Sequence, residues 1–241
     1  MHRERNGVMV FICLILFTVT CYAQSSDVST LKLSNEAKAR GNNYFDQKQY
    51  DKAILEYTKA IELDPNNSKA YYDRGNANSY QGNLSQAIID YSKAIEINPK
   101  YANAYSARGN VYDRMNNAKL ALPDLNQSID LDPNNWFAFS VRGNVYRGMK
   151  DYNKAIADYT KSILLNSKDG ISYLNRALSY EDIGEYENAI SDYIQMSKIN
   201  PNVTDECNSK AWADVHKATS LGIKIDAKTL EALKKASGRD I

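Results

Sequence analysis

Arginine and carboxylate side chains recur together in this 241-residue chain, and their spacing is the first pattern that could do chemistry. Arg40, Arg74, Arg108, Arg142 and Arg176 stand at one fixed interval, and each is followed at a second fixed interval by an acid: Glu56, Asp90, Asp124, Asp158 and Asp192. A guanidinium facing a carboxylate can orient a substrate or simply form an ion pair. Five copies of the same pairing argue for the ion pair, because a feature present in every unit belongs to the architecture. Arg also suits partly buried, fork-like pairing better than Lys does. Each Arg is expected to bridge one helix of its unit to an acid on a second helix, within a unit or between units. The other pair with catalytic residue types is Cys207 and His216. Nine residues apart on one helix they would lie on opposite faces, about 13 Å apart along the axis. A nucleophile and its base need hydrogen-bond reach, so this pair does not make a dyad. No phosphate-cradling Gly loop is present, since each repeated Gly stands in an Arg-Gly-Asn context inside a helix. The expectation is a protein that is not an enzyme and takes no cofactor and no metal.

What positions these residues is a repeat. Arg40-Gly41-Asn42 recurs as Arg74-Gly75-Asn76, Arg108-Gly109-Asn110 and Arg142-Gly143-Asn144, with a degenerate copy at Arg176-Ala177-Leu178. A unit this short cannot bury its own apolar face, so copies must stack. Five units follow, over 34–67, 68–101, 102–135, 136–169 and 170–203. An aromatic holds the fourth place (Tyr71, Tyr105, Phe139, Tyr173), replaced by Ala37 in the first unit. Gly holds the eighth place. Tyr44, Tyr112, Tyr146 and Tyr180 hold the eleventh, with Asn78 the exception. Ala53, Ala87, Ala121, Ala155 and Ala189 hold the twentieth. Tyr57, Tyr91, Tyr159 and Tyr193 hold the twenty-fourth, with Leu125 in the third unit, and Pro65, Pro99, Pro133 and Pro201 close four units.

These units resemble tetratricopeptide repeats, and the resemblance implies an all-α fold: an α-solenoid of five stacked helix-turn-helix units in a right-handed superhelical array. Gly and Ala are expected to be small because the two helices of a unit cross there, with the aromatics filling the gaps. The residue before each proline is pushed out of helical geometry and ends the second helix. Ser167 replaces that proline in the fourth unit, where a softer junction is expected. Pro123 is expected in a first helical turn, where its missing N–H goes unnoticed. Residues 204–241 form a C-terminal helical cap: Asp205 to Ser220 as a sixth first-type helix with Trp212 and Val215 inward, then a helix capped by Asp226 and carrying Leu230 and Leu233. Ala218 to Gly222 resembles the Ala-x-x-Leu-Gly element of Sel1-like repeats.

The N-terminus reads as a signal peptide over residues 1–23. His2, Arg3 and Arg5 precede an apolar run from Val8 to Val19, and Cys21 and Ala23 occupy the small-residue positions of a cleavage site. The run is shorter than the roughly 20 residues a span needs. A retained anchor or a lipidated Cys21 is the alternative, although Thr18 and Thr20 depart from a lipobox. Residues 24–33 are expected to be a flexible mature N-terminus. Losing Arg3, Glu4 and Arg5 takes the formal charge from +1 to zero. Nucleic-acid binding needs clustered surplus positive charge, so no nucleic-acid partner is expected. Cys207 alone remains for disulfides, which excludes an internal disulfide framework. Export to a periplasm or cell envelope, or secretion, is the expected address.

The resemblance also implies where a partner would sit. In this family, extended peptides or partner helices are usually held on the concave face lined by the first helices. Asn42, Asn76, Asn110 and Asn144 share the ninth place there and resemble asparagine ladders that grip peptide backbones, although Asn is also ordinary packing at this place. Phe137, Val141, Ile171, Leu174 and Leu178 make that face apolar in the last two units, with Asn175 beside them. An open apolar patch usually meets something, unless the helices around Trp212 cover it. Lys38 and Asn42 match part of the clamp with which some tetratricopeptide domains hold a chaperone's C-terminal carboxylate. Asp73, Asn103 and Ala107 do not match, and acidic Asp73 would repel such an anion. The functional expectation is a scaffold that holds a peptide or helix of a protein partner. The alternative is a rigid subunit of an envelope complex whose face is unused.

Overall fold

In the computed structural model residues 29–238 are described, and every regular element among them is helical. Helix α1 covers 29–46. It is followed by α2 (Tyr50–Leu63), α3 (Ser68–Tyr80), α4 (Leu84–Ile97), α5 (Ala102–Arg114) and α6 (Ala118–Leu131). Then come α7 (Trp136–Gly148), α8 (Tyr152–Leu165), α9 (Gly170–Asp182) and α10 (Tyr186–Ile199). A 3-10 turn at Pro201–Val203 leads into α11 (Thr204–Ser220) and α12 (Ala227–Ser237). The chain is all-α, and its helices stack as pairs, first helix against second, in an α-solenoid. Contacts divide the described residues into two compact units, with the division between Pro99 and Lys100. The expected signal peptide lies outside the described residues. Residues 29–33, expected to be flexible, are helical instead, since no Gly or Pro interrupts the chain from there to Arg40. No helix among the described residues is long and apolar enough to cross a membrane.

The pair is built the same way each time. The first helix ends in a residue with positive φ, at Lys48, Gly82, Asn116, Lys150 and Gly184. The next backbone N–H then reaches back five residues, as from Gln49 to the Tyr44 carbonyl (2.9 Å) and from Asp151 to Tyr146 (2.9 Å). This left-handed stop satisfies the orphan carbonyls of the helix end. Only two of the five are glycine, so residue type does not announce the turn. The second helix ends in extended backbone at Asp64, Asn98, Asp132, Asn166 and Asn200. Asn166 corrects the expected softening at Ser167. Its backbone is as extended as the others, at φ −141° and ψ 89°. Its side chain accepts from Lys168 N (3.2 Å), the same local turn Asp64 makes with Asn66 (3.0 Å). The Asx turn breaks the helix without help from proline. Pro123 also departs from expectation, for it is the sixth residue of α6 and lies beyond the first turn. It therefore leaves the Lys119 carbonyl without its helical N–H.

Packing inside each pair corrects the reason given for the small residues. The alanines of the twentieth place are fully buried. The glycines, however, make room for the twenty-fourth-place side chain of their own second helix. A Cβ on Gly41 would lie 2.5 Å from Tyr57 Cε1, and one on Gly143 2.7 Å from Tyr159 Cε1. In the third unit the counterpart is Leu125 Cγ, 2.8 Å from a Cβ on Gly109. Each absent methyl is the seat of a buried ring or branched chain.

The C-terminal helices complete the second compact unit. Helix α11 packs on α10 as a first-type helix, and α12 touches both. Trp212 is buried, with its indole N–H on Ser237 Oγ (3.1 Å), and Leu233 is fully buried. Asp226 caps α12 by accepting from Lys228 N (3.0 Å).

Candidate functional site

The arginine ladder is architectural. Arg108 donates through Nε and Nη2 to Asp124 at 2.7 and 2.8 Å. Arg142 makes the same fork to Asp158 (2.8 and 2.8 Å), and Arg176 to Asp192 (2.8 and 2.7 Å). Arg74 forks onto Asp90, which also accepts from Asn78 (3.0 Å). That bond explains why Asn78 stands where other units have Tyr. The remaining guanidinium nitrogen reaches back to the preceding second helix: Arg74 to Thr58 (3.1 Å), Arg142 to Asn126 (2.7 Å) and Arg176 to Thr160 (2.9 Å). Each of these forks therefore ties its own pair together and also fastens it to the pair before. The planes lie over aromatics of the fourth place, 5.6 Å for Arg74 over Tyr71 and 5.5 Å for Arg142 over Phe139. The paired carboxylates raise the pKa of Arg108 and Arg142 further, against the opposing effect of burial. The face of each of these guanidiniums that carries Nε and Nη2 is thus committed to a carboxylate. Arg40 differs: its side chain is 55% exposed, and Glu56 also takes Lys59.

The asparagines of the ninth place are held by tyrosines expected only to fill gaps. Tyr57 donates its hydroxyl to Asn42 Oδ1 (2.9 Å), Tyr91 to Asn76 (2.7 Å) and Tyr159 to Asn144 (2.8 Å). Burial pushes these three phenols up, so they stay neutral donors. Leu125 offers Asn110 no hydroxyl. In the fifth pair the ninth place is Leu178, and Tyr193 donates to Glu181 instead. The Asn42, Asn76 and Asn144 oxygens thus each accept one bond from a tyrosine, and the NH2 group of the exposed Asn42 is what it offers an incoming backbone carbonyl. Asn144 Oδ1 accepts a second bond, from Asn175 Nδ2 (2.9 Å). This joins two residues expected to bond a partner separately. Asn at the ninth place and Tyr at the twenty-fourth coincide in three of the five units, so the sequence alone showed the two patterns but not their partnership.

The apolar patch is smaller than expected. Val141 is only 2% exposed and packs with Ala121, Leu125 and Val145, so it is core and not surface. The small Ala121 and Leu125 of α6 leave room for it to turn inward. Phe137 is half-buried beside that cluster, and Leu174 and Leu178 are half-buried against the cluster that contains Trp212. Ile171 is the exposed member, at 61%. The C-terminal helices thus share a core with the fifth pair and leave Ile171 open.

Two other expectations concern chemistry. Cys207 is buried, and burial pushes its thiol up, while His216 on the same helix is exposed. The two do not form a nucleophile and base. Lys38, the cation that matched a carboxylate clamp, points its Nζ at Asp73 (3.5 Å).

Helix pairs fastened by repeated Arg forks, with an asparagine-bearing face, define a helical-repeat protein. Models described as TPR repeat match residues 41–82 and 79–116, and models described as Tetratricopeptide repeat match 102–135, 136–169 and 171–203. These cover more than half of the chain, and the protein belongs to the tetratricopeptide repeat family. Hsp70-Hsp90 organizing protein 1 of Arabidopsis thaliana is 44% identical over 43 residues, 18% of this chain and 8% of that protein. The chain therefore spans only a small part of that relative's length. Two solved structures share the fold. One is a thermophilic TPR protein in Thermus thermophilus, with TM-score 0.63 and 18% identity over 76% of this chain and 98% of that one. The other is YrrB, described as a TPR protein with an unusual peptide-binding site, with TM-score 0.53 and 21% identity over 68% of this chain and 85% of that one.

Proposed function

We propose that this protein is an exported, non-enzymatic scaffold that holds a peptide or helix of a partner protein on the face of its first helices. The observation that carries this reading is the set of asparagines whose oxygens are fixed by buried tyrosines. Each bond satisfies a tyrosine hydroxyl and at the same time fixes the direction of the amide. A preset N–H donor on an accessible face is what an extended backbone requires. Family membership and the peptide-binding site named for YrrB support the same role. Export rests on the basic start, apolar run and small-residue cleavage positions of residues 1–23. The bacterial envelope is the favoured compartment, from the chain's richness in Asn, Lys, Ile and Tyr. Secretion is tested by N-terminal sequencing of the native protein, which should begin at Gln24.

Partner capture is tested by crosslinking and pull-down from the envelope fraction with the mature protein as bait. Ile171→Asp with Phe137→Ser should abolish capture and leave the helical circular dichroism unchanged. Both changes spare buried Val141. Normal capture by a folded double variant would remove the second compact unit's apolar face from the site.

A further inference from the structure

Within the first compact unit, α1, α2 and α3 enclose an open pocket lined by Asn42, Phe45, Asp46, Tyr57, Asp73 and Asn76. Its volume is about 230 Å³, below the roughly 300–1,000 Å³ of small-molecule sites. It suits one side chain. Its chemistry is one-sided. The Asn42 and Asn76 oxygens are taken by Tyr57 and Tyr91, which leaves the carboxylates of Asp46 and Asp73 as the strong acceptors. Lys38 reaches Asp73 only at 3.5 Å, and Asp46 makes no ion pair among the described residues. Phe45 and Tyr57 supply aromatic wall, and Phe45 is braced edge-on by Tyr50 and Tyr80 at 5.4 and 5.3 Å.

We propose that this pocket receives the side chain of a lysine or arginine carried by the partner segment. The lining picks this occupant: it carries two carboxylates and no cation, while Lys38 and Lys69 act on Asp73 from outside it, so a cation entering the pocket is attracted and an anion is repelled. The apolar stem of Lys or Arg lies against the ring of Phe45 while its head meets the carboxylates. Burial holds Asp73 above the ordinary carboxylate range despite Lys38. Burial also raises Tyr57, with the charges of Asp73 and Asp46 adding to the effect. The assignment rests on the reading of this face as a peptide-binding surface, and it specifies a partner opposite in charge to a chaperone's C-terminal carboxylate.

A random peptide library displayed on phage and panned on the intact mature protein tests it. Selected peptides should be enriched in Lys or Arg. The best of them, made synthetically, should bind about five- to tenfold more weakly to the Asp46→Asn, Asp73→Asn double variant. Lys38→Gln removes the competing cation and should tighten the same peptide. This second variant serves even if the double variant fails to fold. Peptides that bind without cationic enrichment, or whose binding ignores the Asp and Lys38 changes, overturn the pocket assignment and leave the peptide-binding reading standing. Selection of acidic peptides lost on Lys38→Gln overturns it in favour of an anion clamp. Recovery of no binding peptide overturns both.

Discussion

Arg142→Ala lowers the melting temperature by roughly 6–12 °C, whereas Arg40→Ala lowers it by about 3 °C or less. The contrast follows from what each removal leaves behind. Without Arg142, Asp158 loses its ion pair in a site where its side chain is only 10% exposed, and it makes no other ion pair among the described residues. Stranding a buried partner costs roughly 3–5 kcal/mol. The same truncation frees Asn126 and strips a plane from Phe139, so it loosens the junction between neighbouring pairs as well as one pair. In a repeat array a weakened junction broadens or splits the unfolding transition, because neighbours cooperate only through their interface. Among the described residues Arg40 has no pair before it to fasten, and Lys59 also holds Glu56, at 2.7 Å. Arg142→Lys should fall between wild type and Arg142→Ala, since an ammonium still offsets the Asp158 charge but cannot reach both carboxylate oxygens and Asn126 at once. Thermal melts of the three variants by circular dichroism decide it. Silent melts for Arg142→Ala would make the ladder a surface feature.

Asp214→Asn raises the melting temperature by about 4–8 °C near pH 8, and the gain disappears toward about pH 4. Asp214 lies on α11, 6% exposed, and its Oδ2 has no hydrogen-bond partner. Burial, with the negative Glu181 of α9 adding to it, pushes its carboxyl up to about 7. Tyr193 of α10 gives its hydroxyl to Glu181 and does not relieve Asp214. The folded state therefore holds a proton that the unfolded chain, at an ordinary carboxylate pKa near 4, gives up. Stability from this group is full below about pH 4 and is lost as pH rises through about 7. A shift of this size sets a ceiling of roughly 4 kcal/mol, and relaxation around the site brings the expected gain to about 2. Asn carries no charge to desolvate. Asp73, Asp113 and Asp192 are also raised by burial and tilt the wild-type curve the same way. The measurement is therefore the difference between variant and wild type at each pH. An equal gain at both ends of the range would show that Asp214 is not the group that titrates.

The repeat itself was legible from the residues because its contacts recur. An Ala and an Arg–acid pair return in all five units, and a Gly and an aromatic in four of them, so no single exception can hide the shared geometry. Helix pairs, their small-residue seams and the partnership of Arg142 with Asp158 all follow from that. The left-handed turn residues recur just as faithfully, yet Lys48, Asn116 and Gly184 share no side chain that would reveal them. Backbone conformation there is imposed by the helix end, whose carbonyls need the following N–H. The candidate face was legible by position and not by chemistry. Only side-chain packing decided that Tyr57 and Tyr159 would take the asparagine oxygens, that Asn175 would turn to Asn144, and that Val141 would rotate into the core against Leu125. The C-terminal end was least legible, because α11 and α12 form one core with the fifth pair and have no later copy to compare. Asp214 occupies a place held by Tyr in four units, and only the packing of three helices around it turns an ordinary acid into a buried one. Periodicity reports the contacts every unit makes. What a single unit does with its own rotamers, and what ends the stack, is settled by the competition for buried space.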